Sequence, residues 1–168
     1  MVITERGIIK LTLIPSYYSG SQIGRSIKKK KRTYKKELFK IVKNLFKKID
    51  NNIIKNRDVR NGILQLKKKS KVSIGQAQKV VNVCLKYYAV LANKKPKILK
   101  ELDCPLDSTV FKKYGDHKKG LNKTTNLTNL DNFEKYKEWQ ELLRKKGRSI
   151  KIYSDLIYDK RRMKKFLK

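Results

Sequence analysis

One segment, IGQAQKVVNVCLKYYAVLANK from Ile74, constrains this chain more than any other, because it is the long run in which apolar residues outnumber charges. Ser73 and Gln76 stand directly ahead of and within its first turn as an S-x-x-Q pattern. In that pattern the serine side chain satisfies a helical amide and the glutamine reaches back to the serine's own N–H. Ile74, Ala77, Val81, Cys84, Leu85, Tyr88 and Leu91 then recur on one face at helical spacing. In a chain so rich in charge, this helix has to be the buried centre against which the others pack. It should end near Asn93, ahead of Pro96. Gln76, Gln78 and Asn82 carry groups able to contact bases, but capping and surface polarity account for them more simply.

The second constraint is RSIKKKKRTYKKELFKIVKNLFKKID, Arg25 to Asp50, in which Glu37 and Asp50 are the only acids. Periodicity decides whether it is a loose arm or a folded helix. Leu38, Ile41, Val42, Leu45 and Ile49 fall on one stripe, and Lys36, Lys40, Lys43 and Lys47 follow i, i+4, i+7, i+11 on the opposite face. Thr33 is placed to cap this helix. At about 1.5 Å rise per residue the lysines form a row roughly 16 Å long. Arg25, Lys28, Lys29, Lys30, Lys31 and Arg32 then make a basic approach to it. Such a row is ordinarily a solvated face laced with i, i+4 acids, and here the acids are nearly absent.

The rest of the chain reads as follows. Ile8 to Ile14, β-branched and closed by Pro15, predicts a short strand, and PSYYSGSQIG after it a loop. From Asn56, NRDVRNGILQLKKKSK contains Gly62, which argues for a short helix or turn followed by a basic loop with Lys67, Lys68 and Lys69. Pro105 fixes a turn, Asp107 or Ser108 can cap a short helix to Tyr114, and Gly115 suits its stop. Asp131 with Glu134 forms a further box ahead of NFEKYKEWQELLRKK, with Phe133, Tyr136, Leu142 and Leu143 apolar and Trp139 near them. A last helical segment from Ser149 ends in Lys160, Arg161, Arg162, Lys164, Lys165 and Lys168. The expected fold is therefore mostly α: a compact helical domain of about four to five helices over residues 33–168, with a short N-terminal β element, a loop and the basic approach over 1–32.

SIGQAQKVVNVCLKYYAVL, then LDCPLD, then NLTNLDNFEKYKEW resembles a family of small, uncharacterised prokaryotic and phage-borne proteins. That family shows an S-I-G-x-A-Q-K helix, a C-P-hydrophobic-D turn and an L-D-x-hydrophobic-x-x-Y segment. The resemblance runs roughly from Ser73 to Trp139 and leaves the lysine-rich N-terminal third outside it. No activity is attached to the family, so no functional residue is carried over. It implies that the helix and the Cys104-Pro105-Leu106-Asp107 turn belong to one folded unit.

Charge narrows the function. Lys and Arg number 45 against 14 Asp and Glu, a formal net charge of +31 over 168 residues. A compact chain this positive repels itself unless a polyanion neutralises it. Nucleic acid, DNA or RNA, is the expected partner. No segment joins a basic face to a wide Trp/Phe/Leu face, so a membrane surface is not. No apolar run reaches membrane-spanning length, and MVITERGIIKLTLIP lacks the pattern of a signal peptide. An intracellular place (cytoplasm or nucleoid) or a virion is expected. Cys84 and Cys104 are expected to be two reduced, partly buried thiols, with a single bridge between them the alternative; two cysteines without a CxxC make neither a disulfide framework nor a zinc site.

Lys outnumbers Arg several-fold, which favours point-charge contact with phosphates over the bidentate reading of guanine. Tyr17 and Tyr18, beside a Gly/Ser loop, are placed to stack on unpaired bases, or equally to close a strand end. Enzyme chemistry is weakly signalled. The lone His117 has no partner pattern, and neither P-loop, Rossmann glycines nor HExxH occurs, so no cofactor is expected. A divalent-metal nuclease would have to draw on Asp103, Asp107 and Asp116, with Glu101 as a further carboxylate. The sequence reading is a binder that grips phosphates and packages nucleic acid or joins a ribonucleoprotein. The alternatives are that nuclease and a nucleocapsid-type structural protein.

Overall fold

The computed structural model describes residues 31–92, 96–114 and 130–147. Six helices make up this part: α1 (Lys31–Asp50), α2 (Asn56–Ser70), α3 (Ile74–Leu91), α4 (Pro96–Glu101), α5 (Ser108–Tyr114) and α6 (Phe133–Gly147). No strand occurs among the described residues, and the strand expected at Ile8 to Ile14 lies outside them, as does the final helical segment from Ser149. The mostly α expectation holds, with α4 an element the sequence reading did not separate.

α3 is the central helix. Ser73 and Gln76 form the anticipated box, Gln76 N–H donating to Ser73 Oγ and Ser73 N–H to Gln76 Oε1, both at 3.1 Å. Ile74, Ala77, Val81, Cys84 and Leu85 are fully buried, and Tyr88 nearly so. Ile74, Val81 and Leu85 each contribute about 1.5–3 kcal/mol on leaving water. α1 and α2 pack on α3 and on each other. They run antiparallel, as two ion pairs show: Lys48 to Asp58 at 2.7 Å at one end and Lys69 to Glu37 at 3.2 Å at the other. Phe46 of α1 stacks on Tyr88 of α3 with ring centroids 3.8 Å apart, and the Tyr88 hydroxyl donates to Asp50 Oδ2 at 2.6 Å.

Three expectations about helix ends and breaks need correction. α1 is already helical at Lys31, so Thr33 sits inside the first turns and is not the cap. Gly62 does not break α2, which runs for 15 residues, so that Lys67, Lys68 and Lys69 lie on a helix and not in a loop. The glycine is buried because α1 presses on it: a Cβ there would meet Ile41 Cγ2 at 3.0 Å and Leu45 Cδ1 at 3.1 Å. The helix-propensity cost of about 1 kcal/mol is offset by that close approach. Finally, Asn132 and not Asp131 caps α6, its Oδ1 accepting the Lys135 N–H at 2.9 Å. Asp131 instead accepts the Ile74 N–H at 3.3 Å, while Gly75 N–H donates to Leu130 O at 2.9 Å. The strand of chain before α6 thus closes the open N-terminus of α3.

The segment from Leu102 to Asp107 is a buried loop, and buried loops must find partners for their backbone. Two glutamines supply them. Gln140 of α6 accepts the Cys104 N–H at 2.9 Å and donates to its carbonyl at 2.7 Å. Gln78 of α3 accepts the Leu106 N–H and donates to its carbonyl, both at 3.1 Å. Asn82 adds a donor to Tyr136 Oη at 3.0 Å. Gln78 and Asn82 are therefore interior residues, not the surface polarity their sequence suggests. The α3 helix and the Cys-Pro turn form one packed unit through these bonds. Asp107 caps α5 as expected, accepting the Val110 N–H at 2.9 Å.

Candidate nucleic-acid interface

The positions of charge on α1 follow from its burial pattern. Tyr34, Leu38, Ile41, Val42, Leu45, Phe46 and Ile49 are buried and fix one face inward. Lys36, Lys40, Lys43 and Lys47 are thereby turned outward, and all four are exposed. Among the described residues no carboxylate lies within ion-pair distance of any of them. Asp50, three residues after Lys47, accepts the Tyr88 hydroxyl, and Glu37, beside Lys36 in sequence, pairs with Lys69 on the α2 side of the helix. The row is bordered on that side by the Glu37–Lys69 and Asp58–Lys48 pairs. On the opposite edge stands Phe39, 38% exposed.

The second predicted cluster is less free. Lys67 is held by Asp131 at 2.9 Å and Lys69 by Glu37, whereas Lys68 is exposed. The Lys67 hydrogen bond, more than the Ile74 amide and the lysine's charge, holds the Asp131 carboxyl below its ordinary value, with slight burial opposing. Burial would raise the Asp58 carboxyl, but the Lys48 hydrogen bond, the Lys55 amide and the charges of Lys48 and Arg57 together hold it low. Lys31 and Arg32 open α1. Arg25, Lys28, Lys29, Lys30, Lys160, Arg161, Arg162, Lys164 and Lys165 lie outside the described residues, as do Tyr17, Tyr18 and Asp116.

Among the described residues, the carboxylates considered for a metal, Asp103, Asp107 and Glu101, are committed elsewhere. Asp103 is buried, and its oxygens accept from Asn56 Nδ2 (2.7 Å), Arg144 Nη2 (2.9 Å), Arg60 Nε (3.2 Å) and Tyr136 Oη (2.9 Å). Four donors fill the roughly four lone-pair sites of a carboxylate. Burial first, then the Asp103 charge, push the Tyr136 phenol well above its ordinary value, which keeps its hydroxyl a donor. Burial works against the Arg60 guanidinium, but Asp103 and Glu141 outweigh it and keep the group firmly charged. Asp107 caps α5, and Glu101 Oε2 accepts the Asn56 N–H at 2.9 Å. Among the described residues no three acidic, histidine or cysteine side chains converge on one point. An open depression of about 690 Å³ between α2 and α6 is lined by Arg60, Asn132, Lys135, Lys137 and three glutamates, Glu134, Glu138 and Glu141, so that three cations are matched by three carboxylates.

A connection of three residues, Lys71 to Ser73, joins α2 and α3. It does not make α3 a groove-reading helix, because α3 is the core of the fold. Among the described residues no helix is long and apolar enough to cross a membrane. Phe39 escaped the sequence reading because it lies between the apolar stripe and the lysine row; an aromatic three residues from one lysine and four from another was the available signal. No family model, no curated protein and no solved structure matches the chain, so its function has to be argued from this surface.

Proposed function

We propose that the protein binds nucleic acid through the phosphate backbone, with the lysine row of α1 as its ordered contact and the flanking basic clusters as further electrostatic grip. The observation that carries this is the row itself: four exposed lysines on one rigid helix face, without a neutralising acid among the described residues, in a chain of net charge +31. Lysines placed this way neutralise phosphates and release counterions, which gives affinity without sequence preference. A packaging role or membership of a ribonucleoprotein suits such a surface.

Binding of random DNA and RNA followed across salt tests the proposal. If about 6–10 phosphates are neutralised, affinity falls roughly 10³–10⁵-fold between about 50 and 200 mM salt. A flat dependence would sink it. Incubating the protein with plasmid and RNA, with Mg²⁺ and with EDTA, separates a binder from a nuclease: metal-dependent cleavage would overturn a purely binding role.

A further inference from the structure

Phe39 is one of two large apolar side chains exposed among the described residues, the other being Ile53 in the α1–α2 turn. It belongs to no part of the core cluster. Lys36 lies three residues before it, Lys40 one after and Lys43 four after. Residues three and four apart on a helix have Cβ atoms about 5–6 Å apart, so Lys36 and Lys43 flank the ring directly. Helical side chains lean toward the N-terminus, which lays the ring over the turn carrying Lys36 and brings Lys43 back toward the ring.

Resting on the phosphate-binding reading above, we infer that α1 prefers single-stranded to double-stranded nucleic acid, by stacking an unpaired base on Phe39 while Lys36, Lys40 and Lys43 hold the adjoining phosphates. The pairing of ring and cations is what a single strand offers complements to: a flat π face beside negative charge at every nucleotide. A duplex offers the lysines its phosphates but keeps its base faces inside the stack. The ring therefore adds affinity for one form only. A single aromatic among cations is too small for a membrane surface, which takes a broad apolar face. Stacking involves no counterion, so the contribution of Phe39 is independent of salt, whereas that of the lysines is not.

The test compares wild type, Phe39→Leu and Phe39→Trp on oligo(dT), oligo(U) and a random duplex, each across a salt series. Phe39→Leu is expected to weaken single-strand binding roughly 5- to 150-fold with an unchanged salt slope, the range for loss of one stacked base. Duplex binding should change less than about 2-fold, and Phe39→Trp should retain single-strand affinity. Its new indole should be quenched by oligo(dT) or oligo(U) and not by duplex, over the signal of buried Trp139. Should the leucine variant not fold, that quench alone decides. Salt-dependent binding in which Phe39→Leu alters both forms equally, or neither, overturns this inference and leaves the lysine row standing. Absence of salt-dependent binding to any form removes both. A preference for oligo(U) over oligo(dT), or the reverse, assigns RNA or DNA as the strand bound.

Discussion

Replacing Lys36, Lys40, Lys43 and Lys47 together with Gln tests whether order in the row matters, when compared with replacing Lys67 and Lys69. The four α1 lysines are exposed and have no described carboxylate to lose, and Gln is about as good a helix former as Lys, so stability should move by no more than about 0.5 kcal/mol. Each phosphate contact contributes about 0.9 to the slope of log affinity against log salt, and four give about 3.6. From about 50 to 200 mM salt, wild type should then lose about 150-fold more affinity than the variant does. Lys67 and Lys69 already neutralise Asp131 and Glu37. Removing them frees two carboxylates and should lower the slope by less per charge, with a stability loss of up to about 1 kcal/mol per exposed pair. Fluorescence anisotropy with a labelled random oligonucleotide reads the slopes, and thermal unfolding reads the stabilities. Equal loss of slope per lysine in the two variants would refute the argument, because the charge would then act as a diffuse cloud.

Three further outcomes follow from the interior and the ion pairs. Asp103→Ala leaves Asn56, Arg60, Arg144 and Tyr136 without their buried acceptor and should cost about 3–5 kcal/mol in urea unfolding; a loss under about 1 kcal/mol would contradict the hub described for it. Gly62→Ala gains about 1 kcal/mol of helix propensity but crowds Ile41 Cγ2, which is fixed at a stiff β-branch, so a net loss of about 1 kcal/mol is expected, relieved by adding Ile41→Leu. Asp58 and Asp131 have lowered pKa values, so as pH falls the unfolded chain takes up their protons first. Their stabilisation is complete above their ordinary value near 3.8 and is lost as pH drops through the lower folded values; Asp58→Asn and Asp131→Asn should each flatten the decline of the melting temperature in that acid range.

Local patterns carried the elements whose signals are local. The Ser73–Gln76 box and the apolar period located α3, the lysine and leucine stripes located α1, and Asp107 capped the helix it was expected to cap. Where the reading failed, a long-range contact had overridden a local preference. Gly62 looked like a breaker because its reason for being there is Ile41, across a helix interface. Asp131 looked like a cap because its actual partners, Ile74 and Lys67, stand more than fifty residues away. Gln78 and Asn82 looked like surface because nothing near them in sequence announces a buried loop. Pro96 opening α4 was a legible signal, since Pro suits the first helical position. At the candidate interface, the row was legible as a period. The engagement of Lys67 and Lys69 was not, because it depends on which acids the fold brings near.

The two glutamines that grip Cys104 and Leu106 have a consequence for motion. Backbone amides in a loop normally exchange with solvent through small local openings. These two are bonded to side chains rooted in α6 and α3, so releasing them requires those helices to draw back from the loop. Their hydrogen exchange should therefore be as slow as that of the core of α3 and should answer to global unfolding. A segment without regular secondary structure would then be among the last parts of the molecule to open.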